Sequence, residues 1–202
     1  MTATLTLTRT EPFVMRFDPM PKPITDEELF EFCRLNAEWR IERTATGELI
    51  VMPPAGGETG IRNSQLNRLL GNWAEVDGTG LVFDSSTGFT LPNGAKRSPD
   101  AAWLRRSRWE SLTPEQRRRF PPLCPDFVVE LRSPTDVLET LREKLAEYLA
   151  NGAQLGWLLD PGERKVYVYR PDSDVVCLED PDSVSGDPVL PGFVLDVARV
   201  WS

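Results

Sequence analysis

The stretch "PDFVVELRSPTD", residues 125–136, decides the fold. Val129 and Leu131 sit two apart, as do Glu130 and Arg132, so on a strand the apolar pair points one way and the charged pair the other. Phe127 joins the apolar face. A run rich enough in valine and leucine to be buried thus presents a carboxylate and a cation together at its carboxyl end, where ligand sites in open α/β sheets open.

The next segment reads as a helix from about Val137 to Asn151, closed by Gly152. At about 100° per residue, with Leu141 as origin, Val137, Leu138, Leu145, Tyr148 and Leu149 form its buried stripe. Lys144 borders that stripe, so its stem can lie on apolar surface while its ammonium reaches groups on the strands. Glu139, Arg142, Glu143 and Glu147 read as a solvated face. Strands follow at "LGWLLD" (155–160) and "KVYVYRP" (165–171), and Asp160, before Pro161, reads as a turn residue.

Upstream, "SPDAAWL" (98–104) sets Asp100 behind Pro99 at a strand start, and "LVFDSS" (81–86) and "GFTL" (88–91) read as further strands. Ile61, Leu66, Leu69, Leu70 and Trp73 fit a helix over 59–76. "WRIERTATGELIVMPP" (39–54) alternates as a hairpin turning at Thr46-Gly47, and Thr25 caps a short helix before it. The whole reads as an α/β protein: a central mixed sheet flanked by helices, with an N-terminal hairpin. Residues 1–22 read as an extended or poorly ordered lead-in, and 23–202 as one domain with its core over about 55–170. The acidic, proline-containing remainder reads as peripheral.

Composition narrows the chemistry. The 202 residues include no histidine, which removes Ser-His-Asp and Cys-His nucleophilic machinery and every imidazole base. Cys33, Cys124 and Cys177 are widely spaced, without a C-x-x-C pair, and read as buried free thiols. No run approaches the roughly 18 apolar residues of a membrane helix, and the N-terminus lacks a signal-peptide pattern, so a cytoplasmic protein with no membrane partner is expected. A net charge of −8 excludes a coat of positive charge for non-specific nucleic-acid binding. The charge is nevertheless segregated: residues 105–119 hold six arginines against Glu110 and Glu115. Arg105, Arg106, Arg108, Arg117, Arg118 and Arg119 form a candidate phosphate-contacting arm, with an exposed solubilising loop as the plainer reading.

Asp100, Glu130, Arg132 and Lys144 make a candidate cluster of two carboxylates and one or two cations. Close carboxylates need a divalent ion, a shared proton or nearby cations, and the plainer reading is an ion-pair network that holds strands to helix. An oxygen-ligated Mg²⁺ or Mn²⁺ beside a lysine is the equipment of phosphodiester hydrolysis.

Pro99-Asp100, a carboxylate thirty positions on in an apolar strand and a cation two residues beyond it resemble the PD-(D/E)XK restriction-endonuclease-like superfamily. The ordered set "GGETGIRN", "FDSSTGFTLPNG", "SPDAAW", "CPDFVVELRSPTD", "KLAEYLANG" and "LGWLLDP" resembles one large bacterial branch of it, formerly catalogued as a domain of unknown function, over roughly residues 38–170. The resemblance implies an αβββαβ core and metal-dependent cleavage of DNA. It implies Asp100, Glu130 and the Leu131 main-chain carbonyl as metal ligands, and Glu58 as an auxiliary metal acid. Arg132 stands where the motif has lysine. Arginine stays protonated and can clamp a phosphate but not act as a general base, so the working lysine of this branch corresponds to Lys144. Homodimerisation is a further expectation that the resemblance carries. The alternative reading is a catalytically inactive nucleic-acid-binding or protein-interaction module on the same fold.

Overall fold

The computed structural model describes residues 13–15 and 24–201. Strand β1 (Phe13–Met15) precedes helix α1 (Asp26–Leu35), the hairpin β2 (Arg40–Arg43) and β3 (Leu49–Met52), and the long helix α2 (Gly57–Asp77). Then come β4 (Gly80–Asp84), β5 (Phe89–Thr90), β6 (Lys96–Arg97), β7 (Ala101–Arg105), two short helices α3 (Arg106–Glu110) and α4 (Pro114–Arg118), and β8 (Phe127–Leu131). Helix α5 (Leu138–Ala150) leads to β9 (Leu155–Asp160), β10 (Lys165–Tyr169) and β11 (Val176–Glu179). A ribbon of β12 (Ser183–Ser185) and β13 (Val194–Asp196) and helix α6 (Ala198–Trp201) follow.

The central sheet runs β11-β10-β9-β8-β7-β4, with β8 and β9 parallel and every other neighbouring pair antiparallel. Its heart is α2-β4-β7-β8-α5-β9, the expected αβββαβ order. The "GFTL" strand belongs elsewhere: β5 joins a second sheet, ordered β1-β3-β2-β6-β5. The lead-in reading for 1–22 lies outside the described residues except at β1, which pairs with β3.

Local chemistry sets the ends of these elements. Thr25 closes a capping box on α1, its hydroxyl accepting from the Glu28 N–H at 3.2 Å while the Glu28 carboxylate accepts from the Thr25 N–H at 2.8 Å. Helix α2 stops at Gly78, whose φ of +71° few other residues adopt readily. Helix α5 packs down on β9 at Gly156, where a Cβ would lie 2.6 Å from a Leu145 methyl.

All five residues of β8 are buried, so the charged face is no outer surface. Ala101, Trp103, Phe127, Val129 and Leu131 face α2, and Ala102, Leu104, Val128 and Leu158 face α5 with Leu145 and Tyr148. The C-terminal segment is not peripheral either. Val184, Leu190, Phe193, Leu195, Val197 and Val200 are buried in the α2-side core, where the Phe193 ring stacks on Trp157 at 5.8 Å. The core therefore extends past residue 170, because the acids and prolines there alternate with apolar side chains that cover α2 and the sheet. The three thiols are free, but only Cys124 is buried; Cys33 is intermediate and Cys177 is exposed on β11.

Candidate active site

The pairing of β7 with β8 places the two acids. Ala101 pairs with Val129, Ala102 with Val128 and Trp103 with Phe127. Carried one place further, that register sets Asp100 opposite Glu130, on the face that carries Ala102 and Val128. One more step sets Pro99 opposite Leu131, and proline has no N–H to give. The Leu131 carbonyl therefore receives no ladder bond from Pro99, while the Leu131 N–H donates to Asp100 Oδ2 at 2.8 Å.

Helix α5 brings the lysine. Lys144 is buried, and its ammonium lies 2.8 Å from Glu42 Oε1, 2.9 Å from Glu130 Oε1 and 3.4 Å from the Ser98 carbonyl. The Tyr148 hydroxyl donates to the same Glu130 oxygen at 3.2 Å. Glu130 Oε2 is buried with no hydrogen-bond partner, an unsatisfied carboxylate oxygen.

The second sheet supplies what sequence reasoning missed. Arg40 and Glu42 lie two apart on β2 and share a face. Arg40 Nη1 donates to Asp100 Oδ1 at 2.7 Å. Glu42, 2 % exposed, accepts from Lys144, from the Ser98 N–H at 3.0 Å and from Arg97 Nη1 at 3.2 Å. Arg97 in turn donates to Glu147 at 2.5 Å. Glu147, read as solvated, is thus an anchor of the network and only 17 % exposed.

One lysine between two buried glutamates gives them opposite acidities. Burial opposes ionisation of Glu42, yet the Lys144, Arg97 and Arg40 cations carry its pKa down to about 2. Burial pushes Glu130 up to about 7; Lys144 pulls the other way, and the Asp100 and Glu42 charges add to the rise. Lys144 itself is raised: burial disfavours its charge, but the Glu130 and Glu42 carboxylates outweigh that.

Other expected residues fall elsewhere. Arg132 lies just past β8 and donates to Asp160 at 2.7 Å and to the Asp136 carbonyl at 3.3 Å, tying the ends of β8 and β9. Asp160 is accordingly a buried strand residue that accepts this bond as well as the turn N–H of Glu163 at 3.2 Å. Glu58, in the first turn of α2, is 83 % exposed and pairs with Arg62 at 3.7 Å. No described hydrogen bond or ion pair joins it to Asp100 or Glu130. The arginine arm begins at Arg105, five residues along β7 from Asp100, which at about 3.4 Å per residue is the far end of the strand. Most of its members make internal contacts: Arg108 bonds Asp126 at 2.8 Å, Arg106 the Gly78 carbonyl at 3.2 Å, Arg117 the Glu110 carbonyl at 2.8 Å and Arg119 Glu27 at 2.9 Å.

The donor set suits a hard divalent cation, with carboxylate and main-chain carbonyl oxygens from Asp100, Glu130 and Leu131. Among the described residues no group of three or more acids, histidines or cysteines is placed to hold a metal ion. The orphaned Glu130 oxygen and the Leu131 carbonyl facing Pro99 are oxygen donors of the kind a hard cation takes.

The architecture and the paired acids at the β7–β8 junction define a restriction-endonuclease-like fold. Residues 26–198 match the model of a family described as "Uma2: Putative restriction endonuclease", and the chain belongs to that family. Among solved structures, one described as a putative nuclease belonging to DUF820, from Anabaena variabilis, is similar over 89 % of this chain and 98 % of its own, with a TM-score of 0.72 and 22 % identity. No curated protein matches. No helix among the described residues is long and apolar enough to cross a membrane.

Proposed function

We propose that this chain is a Mg²⁺- or Mn²⁺-dependent endonuclease that hydrolyses phosphodiester bonds of DNA, working in the cytoplasm and as a homodimer. The observation that carries the reading is the pairing of half-buried Asp100 with buried Glu130, with Lys144 against Glu130, in a chain of the family described as "Putative restriction endonuclease". Buried, mutually perturbing ionisable groups concentrate at functional sites.

In this reading Asp100, Glu130 and the Leu131 carbonyl would hold the ion, which would supply Lewis acidity. Glu130 presents Oε2, since Oε1 is engaged by Lys144 and Tyr148. Lys144 keeps a positive charge beside the acids and offsets negative charge that builds on a phosphate in the transition state. Arg40 must release one oxygen of Asp100, which it holds at 2.7 Å, for that oxygen to ligate. Arg132 steadies the ends of β8 and β9 from outside the cluster, and the exposed arginines of the arm are left to contact phosphates at a distance from the acids.

Pure protein incubated with single-stranded, duplex and branched DNA in Mg²⁺ and in Mn²⁺ tests the reading. Cleavage is expected, and an Asp100→Ala protein that cuts as fast as wild type would sink it. The full pairing of Asp100 by Arg40 and Leu131 favours a second reading, an inactive nucleic-acid-binding or interaction module. Calorimetric titration with Mn²⁺ separates the two, since the module gives no heat that depends on Asp100 and Glu130.

A further inference from the structure

The chain passes between its two sheets at Ser98 and Pro99, and that crossing sets Glu42 of β2 against the active-site lysine 102 residues away. We propose that Glu42 is the positioning residue of the site: it fixes the Lys144 ammonium on Glu130 Oε1 and so leaves Glu130 Oε2 as the oxygen open to a divalent ion. This inference rests on the metal-binding part of the proposed function.

Three observations converge on it. The Lys144 ammonium donates hydrogen bonds to Glu42 at 2.8 Å and to the Ser98 carbonyl at 3.4 Å and lies in an ion pair 2.9 Å from Glu130 Oε1, so Glu42 is the nearest of its three partners. Glu42 is in turn fixed by two groups outside the acid pair, the Ser98 N–H and Arg97, so it has no freedom to follow the lysine. The two oxygens of Glu130 are unequal: Oε1 receives Lys144 and Tyr148, while Oε2 is buried with no partner. Without the Glu42 carboxylate, the flexible four-carbon stem of Lys144 is free to lay the ammonium across both Glu130 oxygens and close the open one. Groups one step behind a metal ligand act in this way, and their loss lowers metal affinity or activity by about 10–100-fold.

The test compares Glu42→Gln, Glu42→Asp and a control, Glu147→Gln, which removes the other carboxylate on Arg97 without touching Lys144. Calorimetric titration with Mn²⁺ gives Kd, and steady-state cleavage of duplex DNA gives kcat and KM. Glu42→Gln is expected to weaken Mn²⁺ binding about tenfold and lower kcat by about 10–100-fold with KM for DNA unchanged. Glu42→Asp, which keeps the charge one methylene further back, is expected to weaken Mn²⁺ binding measurably but less than Glu42→Gln does. Glu147→Gln is expected to bind Mn²⁺ as wild type does. Should Glu42→Gln fail to fold, Glu42→Asp against the control decides, with a weakened Mn²⁺ Kd in Asp alone supporting the assignment. Unchanged Kd and kcat in the Glu42 proteins, or an equal loss in Glu147→Gln, overturns it. If wild type binds Mn²⁺ but cuts no DNA, the nuclease reading fails and Glu42 is judged on Kd alone. If wild type binds no Mn²⁺, the inference fails as well.

Discussion

The β7–β8 ladder is closed at both ends by the same dipeptide, and only one end carries the candidate site. At one end Pro99-Asp100 precedes β7, and Asp100 takes the Leu131 N–H on one oxygen at 2.8 Å and Arg40 on the other at 2.7 Å. At the other, Pro125-Asp126 precedes β8, and Asp126 takes the Arg105 N–H at 2.9 Å and Arg108 at 2.8 Å. Continuing the register puts Pro125 opposite Arg105 just as Pro99 stands opposite Leu131. In each case the proline leaves the facing carbonyl without a ladder donor, and the aspartate beside it accepts the N–H of the facing residue. What differs is the facing residue: Glu130 stands across from Asp100, and the buried Leu104 across from Asp126. A Pro-Asp with an arginine is therefore a strand-end latch by itself. The second acid, with the lysine of α5 against it, sets the candidate site apart from the plain latch.

The sharpest break of this comparison is Asp100→Asn against Asp126→Asn. Each is expected to lower stability by about 1–3 kcal/mol, the range for hydrogen bonds to charged groups, read by urea titration. Only Asp100→Asn is expected to abolish DNA cleavage and the Mn²⁺ heat. Equal loss of cleavage in both would show that the Asp100 effect is structural.

A smaller effect separates Glu42 from Glu130. Glu42 has a folded pKa near 2, below its ordinary value of 4.5, so the stability it contributes is present above pH 4.5 and lost as pH falls toward 2. Glu130 is raised from 4.5 to about 7, so its contribution is present below pH 4.5 and lost as pH rises through 7. Metal-free protein is thus expected to lose Tm on both sides of roughly pH 4.5 on account of these two groups. Glu130→Gln is expected to flatten the alkaline limb and leave the acid limb in place. A wild-type curve that keeps rising from pH 5 to 8 would contradict the assignment to Glu130.

The smallest expected change is at Glu58. Its exposed pair with Arg62 at 3.7 Å contributes at most about 0.5 kcal/mol, and Glu58→Gln is expected to leave the Mn²⁺ Kd within about twofold. A larger loss would bring the start of α2 into the site and enlarge the contrast between the two latches.

Strand β8 and helix α5 were legible because each carries its own periodicity, and the arc of about 100° per residue put Lys144 beside the stripe that packs on the sheet. Asp100 was legible through Pro99. Arg40 and Glu42 were not, since alternation with Trp39 and Ile41 makes them look like the wet side of a hairpin. Their burial comes from a second sheet folding over the first, a contact across 102 residues for Glu42 and Lys144 that no local pattern records. The internal pairings of the arginine arm were hidden for the complementary reason: a charge run says nothing of which carbonyls and carboxylates fold beneath it. Phe193 and Val200 were hidden by the acids and prolines around them, although side chains of that size seldom stand alone at a surface.

The burial of Phe193 on Trp157 has a kinetic consequence. The Trp73 indole N–H reaches the Pro191 carbonyl at 3.2 Å across 118 residues, so one whole side of the central sheet waits for the last part of the chain. Closing so long a loop comes before the reward of the contact, and topologies of this kind fold in about milliseconds to seconds rather than microseconds. Refolding followed by tryptophan fluorescence is expected on that timescale, and Phe193→Ala is expected to speed unfolding by removing the contact that seals this face.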